Sequence, residues 1–194
     1  SLGLVGSEMC IRDRGDPVRA ADLGSDIKEV LYTEEQVHQR VVELAAQIDA
    51  DYQDREVVLV GVLNGAVMTL ADLCRSMNSH MTMDWMAVSS YGVGTTSSGV
   101  VRILKDLSGS IEGKDVLIVE DIIDTGLTLS YLLQNLSSRD PNSLEVMAMF
   151  RKPPALTSSV DVKYVGFDIP NEFVVGYGLD LSLIHISEPT RRRL

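Results

Sequence analysis

The stretch VLIVEDIIDTGLTLS (116–130) gathers more chemistry than any other part of the chain. A continuous apolar run ends in Glu120 and Asp121. Two isoleucines later comes Asp124, followed by Thr125, Gly126, Leu127 and Thr128. Three carboxylates at the end of a buried strand are costly to place unless cations or polar ligands meet them. The Thr-Gly-Leu-Thr turn then opens a helix, whose first N–H groups have no partner inside the helix and carry the positive end of its dipole. Such an end suits a phosphate monoester. Thr125 and Thr128 add hydroxyl donors, and Gly126 permits close approach of the backbone. One acidic residue here would read as a helix cap. Three in this order, between a buried strand and a phosphate-type turn, read as a site.

Elements that could position this site follow from periodicity. YTEEQVHQRVVELAAQIDADY (32–52) places Val37, Val41, Leu44 and Ile48 at helical spacing, and Thr33 with Gln36 fits a capping box. VVLVGVL (57–63) is a buried strand, and GAVMTLADLCRSM (65–77) returns to helical spacing. MDWMAVSSY (83–91) and VVRILKDL (100–107) read as strands around the loop YGVGTTSSG (91–99). DVLIVEDI (115–122) and SLEVMAMF (143–150) are buried strands flanking an amphipathic helix at 127–139, with Leu129, Leu132, Leu133 and Leu136 on one side. YVGFDI and FVVGYGL form β segments around Pro170. Strands alternating with helices predict an α/β fold, a mostly parallel central sheet with helices on both faces. Ligands of such sheets sit at the carboxyl ends of the strands.

Composition narrows the function. The chain has 194 residues, 45% apolar and 23% charged, with a net charge of −11, which fits one globular domain. An acidic chain without a basic patch argues against a nucleic-acid partner, because phosphates of a duplex are met by clustered Lys and Arg. No apolar run reaches membrane-spanning length. Cys10 and Cys74 have neither disulfide-framework nor metal-ligand spacing, so a cytoplasmic, reducing setting is expected. Backbone amides and a divalent cation would then replace basic side chains as phosphate handles.

The 116–130 motif resembles the phosphoribosyl diphosphate signature of type I phosphoribosyltransferases. With GVLNGAVM (61–68), VSSYG (88–92), VVRILKDL (100–107), RKP (151–153) and VGFDIPNEFVVGYGLD (165–180), nearly all of 25–180 is similar to the hypoxanthine(-guanine) phosphoribosyltransferase family, the bacterial members in particular. The resemblance implies the type I fold, with a small hood built from the C-terminal segment. It also implies purine salvage: the 5-phosphoribosyl group passes from phosphoribosyl diphosphate to hypoxanthine or guanine, giving IMP or GMP and pyrophosphate with Mg2+. Two other readings are a nucleotide-binding regulator without turnover on the same fold and a xanthine-preferring relative. A proton acceptor at Asp124, with Lys152 and Phe173, favours catalysis over binding alone. The family usually forms dimers or tetramers.

The resemblance assigns roles residue by residue. Glu120 and Asp121 match the acidic pair around the ribose hydroxyls and metal, and Asp124 matches the general base near purine N7. Thr125, Gly126, Leu127 and Thr128 match the 5′-phosphate turn. Lys152 matches the donor to the purine O6 atom, Phe173 the aromatic that stacks on the base, and Val174 the residue whose backbone reads the base edge. Asp180 matches a residue near the exocyclic position and a second metal. Asn64 and Gly65 match the backbone turn that binds pyrophosphate, often through a non-proline cis peptide; many relatives carry Lys or Arg where Asn64 stands. Ser90 and Tyr91 begin the loop that closes over the reaction centre, with Gly92, Gly94 and Gly99 as hinges. Taken without the family, Lys152 would read as a surface lysine and Phe173 equally well as core.

The termini differ from the body. LVGSEMCIRD (4–13) and LSLIHISEPTR (181–191) back-translate to opposite strands of one oligonucleotide that resembles a transposase adapter. Residues 1–14 and 181–194 are therefore expected to be adapter-derived tails around a domain over 15–180. That body carries 12 basic against 25 acidic residues, a net −13. After GLD the family continues with an aromatic-rich segment bearing an arginine near pyrophosphate; LSLIHISEPTRRRL stands in its place, and restoring that segment is expected to raise turnover.

Overall fold

A computed structural model describes residues 2–3, 30–91 and 100–179. In chain order its elements are β1 (Leu2–Gly3), α1 (Glu34–Asp51), β2 (Val57–Leu63), α2 (Val67–Ser76), β3 (Met81–Tyr91), β4 (Val100–Lys105), β5 (Asp115–Ile123), α3 (Leu127–Ser137), β6 (Ser143–Arg151), β7 (Tyr164–Asp168) and β8 (Val174–Val175). The expected helices and strands are all present, with ends moved by a few residues. The capping box at Thr33 forms in full: Gln36 N–H donates to Thr33 Oγ1 at 3.2 Å, and Thr33 N–H donates to Gln36 Oε1 at 2.8 Å.

Six strands form one sheet in the order β4-β3-β2-β5-β6-β7, and every pairing is parallel except the β3–β4 hairpin. Side chains of a strand alternate between faces, and β2 and β5 are apolar on both. Val57, Leu59, Leu117 and Val119 join the buried residues of α1 and α2 on one side. Val58, Val60, Val116 and Ile118 join Leu129, Leu132 and Leu136 of α3 on the other. Helices on both faces explain why these strands read as unbroken apolar runs. Leu132 and Leu136 are fully buried, each contributing roughly 1.5–3 kcal/mol by removal from water.

The chain leaves β2 toward β3 on one side and later returns to pair β5 with β2 on the other. The direction of winding reverses between these two strands. In an open parallel sheet the crevice outside the carboxyl ends at that reversal is where ligands bind, and here it lies between Leu63 and Ile123.

Beyond β7 the chain forms a second, two-stranded sheet in which β8 pairs in parallel with β1, Leu2 against Val174 and Gly3 against Val175, and Val174, Tyr177 and Leu179 pack into the core on the α1 and α2 side. Leu2 and Gly3 belong to the 1–14 stretch; the rest of that tail, the 92–99 loop, Asp180 and 181–194 lie outside the described residues.

Candidate active site

Three parallel strands end on the same side and deliver their next residues to one place. Beyond β2 come Asn64 and Gly65, the end of β5 supplies Glu120, Asp121 and Asp124, and Lys152 follows β6 directly. They line a cleft of about 630 Å³, closed on another side by Phe173, Val174 and Leu179. Ala87 and Val88 of β3 and Leu104 of β4 complete it.

The position of Lys152 is fixed by the sheet. Its N–H donates to the Ile123 carbonyl at 2.9 Å, which carries the β5–β6 pairing one step past the strand ends. The side chain therefore lies beside Asp124, and Nζ donates to Asp124 Oδ2 at 3.1 Å. Lys152 is 6% exposed, so the surface-lysine reading fails: a buried ammonium requires a partner and finds a carboxylate. Phe173, by contrast, is 45% exposed and faces the cleft. It is not core packing, and an exposed aromatic face on a cleft wall can stack on a planar ring.

Glu120 is buried, 7% exposed. Burial, with the Asp121 charge next to it, holds its carboxyl well above the usual range. Burial also raises Asp121 to about 6, in part offset by backbone hydrogen bonds. Asp121 Oδ1 accepts from the Ile122 N–H at 2.7 Å. Its carboxylate lies against Gly65, where a Cβ would collide with it; the acidic pair and the Asn64–Gly65 turn are thus in direct contact. The Leu63–Asn64 peptide is cis, one bond before the Asn64–Gly65 step.

Among the described residues, neither Glu120 nor Asp121 has a cationic partner. A buried carboxylate and a half-buried one beside it, without a cation and facing a cleft, suit a divalent metal. No group of three or more His, Cys, Asp or Glu that could hold a metal occurs among the described residues. The pair alone fits an ion that takes one or two carboxylates and completes its shell with water and substrate oxygens, as Mg2+ does.

The turn after Asp124 is held from behind. Gly126 is the N-cap of α3 at φ +79°, and no side chain caps the helix. A Cβ on Gly126 would stand 2.6 Å from Ser158 Oγ and 2.9 Å from Val160 Cγ2. The Thr125 carbonyl accepts from Thr157 N–H at 3.0 Å, Thr157 Oγ1 at 3.2 Å and Ser158 Oγ at 3.3 Å. The 157–160 segment thus fixes the turn from behind, while at its front the Leu127 N–H donates to Thr125 Oγ1 at 3.4 Å; a helix N-terminus of this kind suits an anion. Thr157 and Ser158 escape a motif-based reading, because they lie more than thirty residues away and act through the backbone.

The remaining expected positions fall as follows. Thr125, Gly126, Leu127 and Thr128 form the mouth of α3 next to the cleft without lining it. Val174 is buried and lines it. Ser90 and Tyr91 end β3, paired with Val101 and Val100; their side chains and the 92–99 loop are outside the described residues, as is Asp180.

Comparison with known proteins shows the family. The model of the phosphoribosyl transferase domain matches residues 29–182. The chain is 54% identical over 171 residues to a hypoxanthine-guanine phosphoribosyltransferase of Mycobacterium avium, covering 84% of each chain. It is similar to a crystal structure of a hypoxanthine phosphoribosyltransferase from Staphylococcus aureus, with TM-score 0.80, 49% identity, and 82% and 87% of the two chains covered. It is also similar to the Trypanosoma cruzi hypoxanthine phosphoribosyltransferase complexed with the product IMP, with TM-score 0.72, 44% identity, and 77% and 82% covered. The chain has the type I phosphoribosyltransferase fold and belongs to the hypoxanthine-guanine phosphoribosyltransferase family.

Proposed function

We propose that this chain transfers the 5-phosphoribosyl group of phosphoribosyl diphosphate to hypoxanthine or guanine, releasing pyrophosphate and yielding IMP or GMP. The observation that carries the reading is the Lys152–Asp124 pair lining a cleft walled by Phe173. A 6-oxopurine presents O6 and N7 side by side, an acceptor next to an N–H. A lysine beside a carboxylate offers the complementary donor and acceptor.

The reaction makes a bond from purine N9 to ribose C1′ and breaks the bond from C1′ to the pyrophosphate oxygen. As N9 becomes bonded, the N7 proton grows acidic and passes to Asp124, which lies at the mouth of the cleft as general base. Lys152 holds O6 and orients the ring, while Phe173 stacks on its face. Glu120 and Asp121 hold the ribose hydroxyls. The open end of α3, with Thr125 and Thr128, binds the 5′-phosphate. The backbone of Asn64 and Gly65 binds the pyrophosphate. Glu120 and Asp121, with Asp180 for a second ion, would hold Mg2+, which when bound would supply Lewis-acid stabilisation of the leaving pyrophosphate.

Ser90 and Tyr91 belong to the loop that closes over the centre and excludes water. The catalytic domain spans 15–180 and acts as a homodimer or homotetramer in the cytoplasm. No helix among the described residues is long and apolar enough to cross a membrane. The test is a spectrophotometric assay with phosphoribosyl diphosphate, Mg2+ and each of hypoxanthine, guanine, xanthine and adenine. Turnover of the first two is expected; no turnover of any base overturns the reading, and turnover of xanthine alone makes the chain a xanthine enzyme.

A further inference from the structure

The hood and the pyrophosphate turn are joined by contacts that none of the roles above uses. Residues 176–178 have three successive positive φ values: Gly176 at 101°, Tyr177 at 52° and Gly178 at 87°. The turn closes on itself through Gly176 N–H to the Leu179 carbonyl at 3.2 Å and the reciprocal bond at 3.0 Å. Such a backbone brings its flat glycine face against a neighbour, here the Asn64–Gly65 turn. A Cβ on Gly178 would stand 2.8 Å from the Gly65 carbonyl oxygen and 3.1 Å from Met68 Cγ. Between the two glycines, tyrosine takes a conformation that residues with a Cβ rarely adopt. Its side chain is 3% exposed, its ring meets Phe150 edge-on at 6.4 Å, and its hydroxyl donates to Asp72 Oδ2 at 2.7 Å.

Asp72 lies on α2, the helix that follows the Asn64–Gly65 turn directly, with Ala66 as its N-cap. Val67 N–H donates to the Asn64 carbonyl, tying the turn to that helix. Upstream of the tyrosine, Phe173 and Val174 line the cleft. One hydrogen bond therefore links the segment carrying the purine wall to the helix carrying the pyrophosphate turn. A ring packed on Phe150 has no need of a hydroxyl for its own burial, and a buried hydroxyl is tolerated because it is satisfied. What the hydroxyl adds is register between two elements 105 residues apart.

We propose that Tyr177 and Asp72 are positioning residues that couple the two halves of the site, so that purine-nucleotide and pyrophosphate binding reinforce each other. The inference rests on the site reading above. Occupying either half orders the shared contact, and the second ligand then meets a wall already in place, which gives positive coupling between sites.

The test is calorimetric titration of the full chain with 9-deazainosine 5′-monophosphate, an IMP analogue whose carbon–carbon bond at C1′ pyrophosphate cannot cleave, with and without saturating pyrophosphate and Mg2+, in the wild type, Y177F and D72N. Pyrophosphate should tighten binding of this nucleotide by about fivefold or more in the wild type, the usual range for coupled sites. In Y177F, which keeps the ring on Phe150, the two ligands should bind almost independently. D72N, whose amide oxygen still accepts from the phenol, should retain most of the coupling; a purely structural effect on folding would not sort the variants this way. Where Y177F is too unstable to titrate, D72A deletes the acceptor and reads the same coupling. A coupling factor in Y177F or D72A equal to that of the wild type would overturn the inference and leave the site reading intact. So would a wild type that binds both ligands independently. A wild type that binds neither ligand would overturn the site reading and the inference together.

Discussion

Lys152 Nζ donates to Asp124 Oδ2 at 3.1 Å, and the Lys152 N–H donates to the carbonyl of Ile123, the residue before Asp124. The buried ammonium and the half-exposed carboxylate are thereby held at a fixed spacing by the β5–β6 pairing itself. A ligand that replaces this mutual contact must supply an acceptor to the lysine and an N–H to the aspartate at neighbouring atoms. Under the proposed function, this requirement favours a 6-oxopurine over adenine, whose 6-amino group would face another donor.

Replacing Asp124 with asparagine keeps the shape and removes the proton acceptor. Turnover should fall by about 10²–10⁴-fold, the range for loss of a general base, while IMP binding measured by calorimetry changes little. Unchanged turnover would take the base role from Asp124.

K152M removes the proposed donor to O6 and leaves Asp124 without its cation. A hydrogen bond from a charged group contributes about 1.5–3 kcal/mol, so kcat/KM for hypoxanthine should fall by roughly 10- to 100-fold. The loss should appear mainly with 6-oxopurines, narrowing their advantage over adenine. An equal loss for every base would show a packing role instead.

G126A tests the phosphate turn. Alanine at φ +79° is strained, and its Cβ would press on Ser158 Oγ at 2.6 Å. The cost should be about 1–3 kcal/mol, seen as a lower Tm, together with a raised KM for phosphoribosyl diphosphate and little change in KM for the purine. A variant with wild-type Tm and KM would contradict the close packing behind the turn.

The acidic pair sets a pH dependence. Asp121 is raised by burial from 3.8 to about 6 and Glu120 is raised as well, so between about pH 4 and 6 the folded chain holds protons that the unfolded chain has lost. Stability contributed by these carboxyls therefore falls as pH rises through that window. Without Mg2+, the D121N substitution should raise Tm more at pH 7 than at pH 4. Mg2+ with phosphoribosyl diphosphate competes with protons for the pair, and should raise the wild-type Tm more at pH 7 than at pH 5. Equal gains at both pH values would place the metal elsewhere.

Much of this was legible in the residues. VVLVGVL reads as a strand because it is apolar on both faces, and it is one, covered by helices on both sides. Glu120, Asp121 and Asp124 stand together in the sequence and line one cleft. What sequence left open were matters of burial and distant contact. Lys152 and Phe173 each had a bland reading that only exposure decides, and the lysine proves buried while the phenylalanine is open to the cleft. Thr157 and Ser158 on the Thr125 carbonyl, and Tyr177 on Asp72, join residues far apart along the chain through single hydrogen bonds. No periodicity or motif signals a pairing of that kind.

In the proposed reaction N7 gives up its proton to Asp124 as N9 takes the phosphoribosyl group. Hypoxanthine and 7-deazahypoxanthine, offered separately with phosphoribosyl diphosphate and Mg2+, test it most directly, with nucleotide and pyrophosphate both quantified. IMP and pyrophosphate in equal amounts are expected from hypoxanthine, and no nucleotide from the analogue that lacks N7. Equal turnover of the two, or no product from hypoxanthine, would contradict it.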